Sequence, residues 1–434
     1  MISINKLERG AWAVLLVVTP LLAGACADAS KILEQNAPSR VEAGTLDNPT
    51  YAQLLVNGAI GDFECALGNY IIAGGLVGDE LIDAQLGQAG WDYDRRTIFA
   101  GSIPYAITQC GANQAPGLYT PLSVARYQAD NTLKKLQGWT DAQVTNRQSL
   151  IATAATYAGY SLLLLGEAMC SAAIDLGPEM SRTDLFTAAQ DRFNTAVTAA
   201  GTSNNTKMLN AAHVGLARTL LDLGKVAEAG VEAAKVPAGF ALKASYSSAN
   251  GRRENLVWTQ MYRGFYSSVD PSYRNVTWLG VADPRVTVVD GGVNGHDKVT
   301  RIWQQKKYAS IGDSIPIARY TEAQLIVAEA DVAAGNPGTA TTIINQLHTN
   351  AGIPPYGGGT AQEVQAQIIE ERRRELFLEG QRLGDLIRYN LTATPLKGTP
   401  FKNGGFYGND TGIELCFPLP DIERLNNPNI ATTP

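Results

Sequence analysis

The run from Ile317 to Asn390 constrains the fold most, and its densest part is the charged stretch Ile369 to Tyr389. Val364, Ile368, Leu376, Leu383 and Leu386 recur at roughly helical spacing. Glu370 and Arg374 stand four apart, and Glu371 and Arg374 three apart, so both pairs support a helix with one buried stripe. The charges beside that stripe, Arg372, Arg373, Glu375, Glu379, Arg382 and Asp385, can tie helices together or form an acid/base site. Arg is the natural bidentate partner of a carboxylate, and no His or Cys stands close in sequence to act with the acids. The pattern therefore predicts a structural network and no catalytic residue.

Composition is that of a chain able to bury a large core: 434 residues, 45 % of them hydrophobic. The net charge is −6, and setting aside residues 1–25, where Lys6, Arg9 and Glu8 contribute +1, leaves −7. With no basic tract, nucleic acid and anionic lipid surfaces are poor partners, and no nucleic-acid partner is expected. Residues 1–25 read as a signal peptide, with Lys6 and Arg9 ahead of an apolar run from Ala11 to Leu22 too short to span a bilayer. That run ends Leu22-Ala-Gly-Ala-Cys26, similar to a bacterial lipobox although its leucine lies four residues before the cysteine instead of three. Cys26 is thus the expected lipidation site and 26–49 a tether.

Cys65, Cys110, Cys170 and Cys416 remain. An even number in an exported chain favours disulfides, and four cysteines allow three connectivities. The expected bridges are Cys65–Cys110, the pair nearer in sequence, and Cys170–Cys416. Three histidines and no close Cys/His pairing argue against a metal site, and nothing calls for a cofactor.

Along the body, helices are expected at about 51–81, 119–136 and 142–165, with 86–119 loop-rich. Ala217, Gly224 and Ala229 share their spacing with Ala328, Gly335 and Ala340, and with Gly159, Gly166 and Ser171. Small, glycine, small suits a helical hairpin: glycine ends the first helix and the small residues let the pair approach. Hairpins are expected at about 119–237 and 317–390. Between 239 and 316 the helical period fades and Trp258, Tyr262, Phe265, Tyr266, Tyr273, Trp278, Trp303 and Tyr308 crowd together. One helix near 254–263 and strands near 286–289 and 299–303 are expected there.

Ala318 to Ala330, Gly335, Ile344-Asn345, Ala351 to Pro354, the Glu-Arg-Arg-Arg-Glu-Leu run, Glu379 to Arg382 and Asp385 to Arg388 together resemble the C-terminal pattern of the SusD/RagB family. Asp283-Pro-Arg285 and the segment Leu415 to Glu423 resemble further family motifs. The resemblance is strong over 317–430, moderate over 142–237 and faint elsewhere. It implies a mainly α fold in which tetratricopeptide-like hairpins form the scaffold, a loop-rich excursion at 239–316 carries the ligand face, and 391–434 closes the chain, all within one domain at 50–434. It also implies an outer-membrane lipoprotein facing the cell exterior, which captures an oligosaccharide or peptide for a SusC-like TonB-dependent transporter. Sugar rings present an apolar face that packs on aromatic side chains, which singles out Trp91, Tyr93, Tyr262, Tyr266 and Trp278. Two rivals remain, a peptide-binding tetratricopeptide-like scaffold and a secreted glycoside hydrolase. No phosphate-binding glycine loop, nucleophile elbow or HExxH motif supports an enzyme.

Overall fold

The computed structural model describes residues 46–111, 116–408 and 415–430. Residues 1–25, Cys26 and most of the expected tether lie outside the described residues. The chain divides into two units, Met1–Asn48 and Pro49–Pro434, and every helix and strand described falls in the second.

Helix α1 (Ala52–Val77) is followed by β1 (Leu81–Asp83) and two short helices, α2 (Gln88–Asp94) and α3 (Ile103–Ile107), in the stretch expected to be loop. Then come α4 (Tyr119–Gly138) and α5 (Arg147–Ala168), a small hairpin of β2 (Ser171–Ala173) and β3 (Glu179–Ser181), and α6 (Arg182–Ser203), α7 (Thr206–Asp222) and α8 (Val226–Ala233). Each of α4 to α8 packs against the next, and α8 continues onto α10 (Tyr320–Ala333) after the excursion. Helix α5 is long and apolar enough to span a membrane, but most of it is buried in the core.

Gly224 and Gly335 follow α7 and α10 with φ of 74° and 83°, the left-handed conformation that ends a helix at low cost without a Cβ. The third spacing match does something else. Gly159 and Gly166 lie inside α5, where an added Cβ would sit 2.8 Å from Phe193 Cε1 and 2.5 Å from Phe186 Cε1. They let two phenylalanines of α6 reach the α5 backbone, so small residues serve packing at one unit and termination at the others.

The excursion is closed at its base by β4 (Ala241–Ala244) pairing antiparallel with β10 (Ile315–Arg319). Between them run α9 (Leu256–Trp258), a π turn at Thr259–Arg263, β5 (Ser267–Val269), the hairpin β6 (Thr277–Trp278) with β7 (Val281–Ala282), and the hairpin β8 (Val288–Asn294) with β9 (Arg301–Gln305). Helices α11 (Pro337–Ala351), α12 (Ala361–Glu375) and α13 (Arg382–Arg388) complete the scaffold. A capping box starts α12, with Thr360 and Glu363 each satisfying the other's backbone amide.

Near the C-terminus, before α14 (Asp421–Asn426), Phe417 forms a parallel bridge with Met169. The Cys170 amide donates to Phe417 O at 2.9 Å and the Phe417 amide to Ala168 O at 2.8 Å. Cys170 and Cys416 are joined in a disulfide at that point, closing 246 residues of sequence. The other expected bridge is absent: Cys65 and Cys110 are free thiols, the first buried and the second half-buried. Each thiol perturbs the other, which lowers the Cys65 thiol's pKa and raises that of Cys110.

Candidate ligand-binding face

Two three-residue strands assemble this face. Strand β1 pairs antiparallel with β5, Leu81 opposite Val269 and Asp83 opposite Ser267. That register lays the chain leaving β1 beside the chain entering β5. The Ala84 amide donates to Tyr266 O at 2.9 Å, and the Trp91 indole N–H donates to Gln85 O at 3.0 Å. A third segment, the turn joining β8 to β9, docks on the same spot: the Asp297 amide reaches Ala84 O at 3.2 Å, and His296 Nε2 lies 2.9 Å from Gly264 O. Close approach needs Gly295, where a Cβ would fall 2.5 Å from that of Ala84. The His296 ring then stacks on Tyr266 with centroids 5.0 Å apart and planes 22° from parallel. Trp91 and Tyr266 are half-buried and His296 is exposed. Rings held by a ring nitrogen, as in Trp91 and His296, or by stacking, as in Tyr266, suit a ligand platform, because orientation is fixed before anything binds.

The platform rests on a buried polar cluster. Asp94 accepts the Asp83 amide at 2.8 Å and Asp83 accepts the Gln85 amide at 3.0 Å, which fixes the turn that carries Trp91. Lys402 reaches in from the closing segment, donating to Asp83 O and to Thr300 Oγ1. Burial pushes the Asp83 carboxyl up to about 8, against the pull of Lys402, and that of Asp94 up to about 6. Asp297 goes the other way. Burial would raise it, but hydrogen bonds from the Thr300 hydroxyl and amide outweigh that and hold its carboxyl below the usual range.

Of the five aromatic residues expected to bind ligand, Trp91 and Tyr266 are the two tied to the Ala84–Gln85 backbone, Trp91 through its indole N–H and Tyr266 through its carbonyl. Tyr93 is a core residue, 1 % exposed, edge-on to Phe417 and donating its hydroxyl to Pro116 O at 3.0 Å. Trp278 packs edge-on against His348 and Tyr356 at 5.1 and 6.2 Å, beneath the charged helix. Tyr262 forms a separate pair with Trp258, 5.5 Å apart and within 9° of parallel, with the Lys306 ammonium 5.5 Å from its ring centre. Sequence reading missed two rings. Trp258 stands four residues before Tyr262, the spacing at which helical side chains meet, so a signal existed. His296, in a turn far from Tyr266 in sequence, had none.

The acids and arginines of the charged run are committed to one another. Arg372 donates to Asp385 from Nε at 3.0 and 2.9 Å and to Gln381 Oε1 at 3.0 Å. Arg319 bridges Glu375 and Glu379 at 2.6 and 2.9 Å, and Lys307 meets Glu379 at 2.6 Å. Arg382 pairs with Asp79 at 2.8 Å, and Arg373 with Glu370 at 2.7 Å. Arg285 spans Asp283 and the fully buried Glu371. One expectation needs correcting: a histidine does join the acids, since His348 Nε2 lies 2.8 Å from Glu371 Oε1. It comes from α11, one helix earlier. Its other nitrogen is engaged with Pro354 O at 2.7 Å, and Glu371 also accepts from Arg285 and Gln367. The His348–Glu371 pair is almost wholly buried and its polar atoms are occupied, as in a structural contact.

Comparison with known proteins agrees with this architecture. Residues 285–433 match the model of the SusD family. The starch-binding protein SusD of Bacteroides thetaiotaomicron is 29 % identical over 169 residues, a match spanning 36 % of this chain and 30 % of that protein. Among solved structures, a SusD superfamily protein from Bacteroides fragilis superposes with a TM-score of 0.67 at 14 % identity, covering 89 % of this chain and 99 % of the other. A laminarin binding SusD-like protein gives 0.65 at 16 % identity, with 89 % and 99 % covered. A SusD-like carbohydrate binding protein from Bacteroides vulgatus gives 0.64 at 16 %, with 88 % and 97 % covered. At such identities the likeness is one of fold.

Proposed function

The chain belongs to the SusD/RagB family, and from that premise we propose that it captures an oligosaccharide on the Trp91, Tyr266 and His296 face and hands it to a TonB-dependent outer-membrane transporter. What supports the reading is that three segments distant in sequence meet at Ala84 and Gln85: the Trp91 indole bonds Gln85 O, Tyr266 O accepts the Ala84 amide, and the His296 ring stacks on Tyr266. A named relative binds starch and a structural neighbour binds laminarin, which favours a glucan-like oligomer as the ligand class. The protein binds without turning over its ligand, a reading supported by the pairing of the charged run's carboxylates with arginines and by the engagement of Asp83, Asp94 and Asp297, beneath the ring face, with backbone amides. Lipidation at Cys26 anchors it to the outer membrane, facing outward.

A glycan array probed with the full chain tests the ligand, with Trp91→Ala and Tyr266→Ala beside wild type. Removing one platform should weaken oligosaccharide binding about ten- to hundred-fold, on the order of 1–3 kcal/mol of buried ring contact. Wild-type affinity in both variants refutes the site, and capture of peptides with no glycan bound refutes the ligand class. Anchoring is tested by Cys26→Ser: the wild type should partition into detergent with an acyl mass shift, and a variant that partitions equally refutes lipidation.

A further inference from the structure

A second concavity, about 630 Å³, lies between the β4–β10 pair, the Pro284–Thr287 turn and the loop after β9, apart from the residues that build the ring face. Its floor is electrostatically closed. Arg285 lies 2.6 Å from Glu371, Arg319 2.6 Å from Glu375 and Lys307 2.6 Å from Glu379. The walls are different. Lys243 stands on β4 opposite Pro316, and Lys306 follows β9, its amide bonded to Thr287 O at 2.9 Å. Both side chains are exposed, and among the described residues neither ammonium has a carboxylate partner. Phe240 and Tyr320, both half-buried, add apolar surface, while Thr287 and Asn350 offer hydroxyl and amide groups.

A chain of net charge −6 repels anions overall, so two lysines without a carboxylate partner lining one cavity mark a local exception, Lys306 having only the Tyr262 ring beside its ammonium. The volume exceeds what a single small ion needs and falls in the range of small-ligand clefts. Apolar ring surface beside hydroxyl-binding groups suits a sugar, and the lysines suit a carboxylate on it. We infer that this cleft is a second binding site, for an acidic saccharide bearing uronate groups, held by Lys243 and Lys306.

Titration of the full chain with trigalacturonate and with its carboxyl-reduced neutral counterpart tests this. Trigalacturonate should bind at least tenfold tighter, and the difference should shrink as salt is raised. The double variant Lys243→Glu/Lys306→Glu should erase that preference. The double variant Lys134→Glu/Lys207→Glu, at exposed sites elsewhere, alters net charge by the same amount, should change the preference less than twofold and so controls for net charge. Equal binding of the two saccharides, or an unchanged preference in the double variant, overturns the inference. Trp91→Ala separates the two sites. If it alone abolishes trigalacturonate binding, the acid sits on the ring face, and this cleft is refuted while the proposed function stands.

Discussion

Replacing Asp385 with alanine asks whether the charged run is structure or site. Arg372 is 2 % exposed, and its Nε and Nη2 are held by Asp385, with Gln381 the remaining partner of Nη2 and Nη1 unpartnered among the described residues. Burial alone would raise the Asp385 carboxyl, but Arg372 and Arg388 outweigh it and hold the pKa below the usual range. Removing the carboxylate strands the Arg372 guanidinium in the core. Arg388 keeps Glu329 at 3.0 Å and suffers less. A buried charge left without its partner costs about 3–5 kcal/mol. For a unit the size of Pro49–Pro434, unfolding entropy of ~2.1 cal/mol/K per residue comes to about 0.8 kcal/mol/K, so Tm should fall by roughly 4–6 °C. Thermal melts of Asp385→Ala, and of the paired apolar variant Arg372→Met/Asp385→Leu, measure this. The double variant should recover much of the loss, since it removes both charges. Glycan affinity per folded molecule should stay within about twofold of wild type. A single variant that melts like wild type yet no longer binds refutes the structural reading, and a double variant as unstable as the single refutes the stranded-charge argument.

Three further outcomes follow from the same geometry. Tyr93→Ala and Trp278→Ala should lower stability by about 3–5 kcal/mol, as losses of large packed rings do, while the folded fraction binds oligosaccharide as before; a selective binding loss in either would return that residue to the site. The Asp83 carboxyl, pushed up to about 8 against ~3.9 for a free aspartate, contributes stability that is complete below about pH 4 and is lost as pH rises through about 8. Asp83→Asn should therefore flatten the fall in Tm between about pH 5 and pH 8, and an unaltered slope refutes the assignment. Cys170→Ser/Cys416→Ser opens a loop of 246 residues, with an entropic ceiling of about 5 kcal/mol; a denaturation midpoint equal to wild type would show that the backbone bonds at Phe417 hold the closing segment unaided.

What could be read in the sequence followed from local rules. Helix α12 announces itself through Thr360 and Glu363 at its start and through a stripe whose members Val364 and Ile368 are fully buried. Gly224 and Gly335 mark real helix ends because the left-handed turn is a property of the backbone at that residue. Gly166 has the same spacing and a different reason for being glycine, since its constraint comes from Phe186 on another helix. The partners of the charged run were likewise invisible: Arg372 finds Asp385 thirteen residues away, but Arg382 finds Asp79 across 303.

The ring face shows where local reading fails and what would repair it. Trp91 and Tyr93 were taken together because both are large aromatics in an irregular stretch. In the structure they lie on α2, a seven-residue helix with no long apolar period to reveal it. Residues two apart on a helix point about 200° away from each other, so once α2 forms, these two cannot share a surface. One ring enters the core against Phe417 while the other turns to the loops. Which one goes in is decided by the closing segment, which the Cys170–Cys416 bridge holds beside α5 and which supplies Phe417. The orientation of Trp91 toward the face is therefore coupled to a covalent link more than 300 residues downstream in sequence at Cys416, and opening that link should loosen the platform as well as the fold.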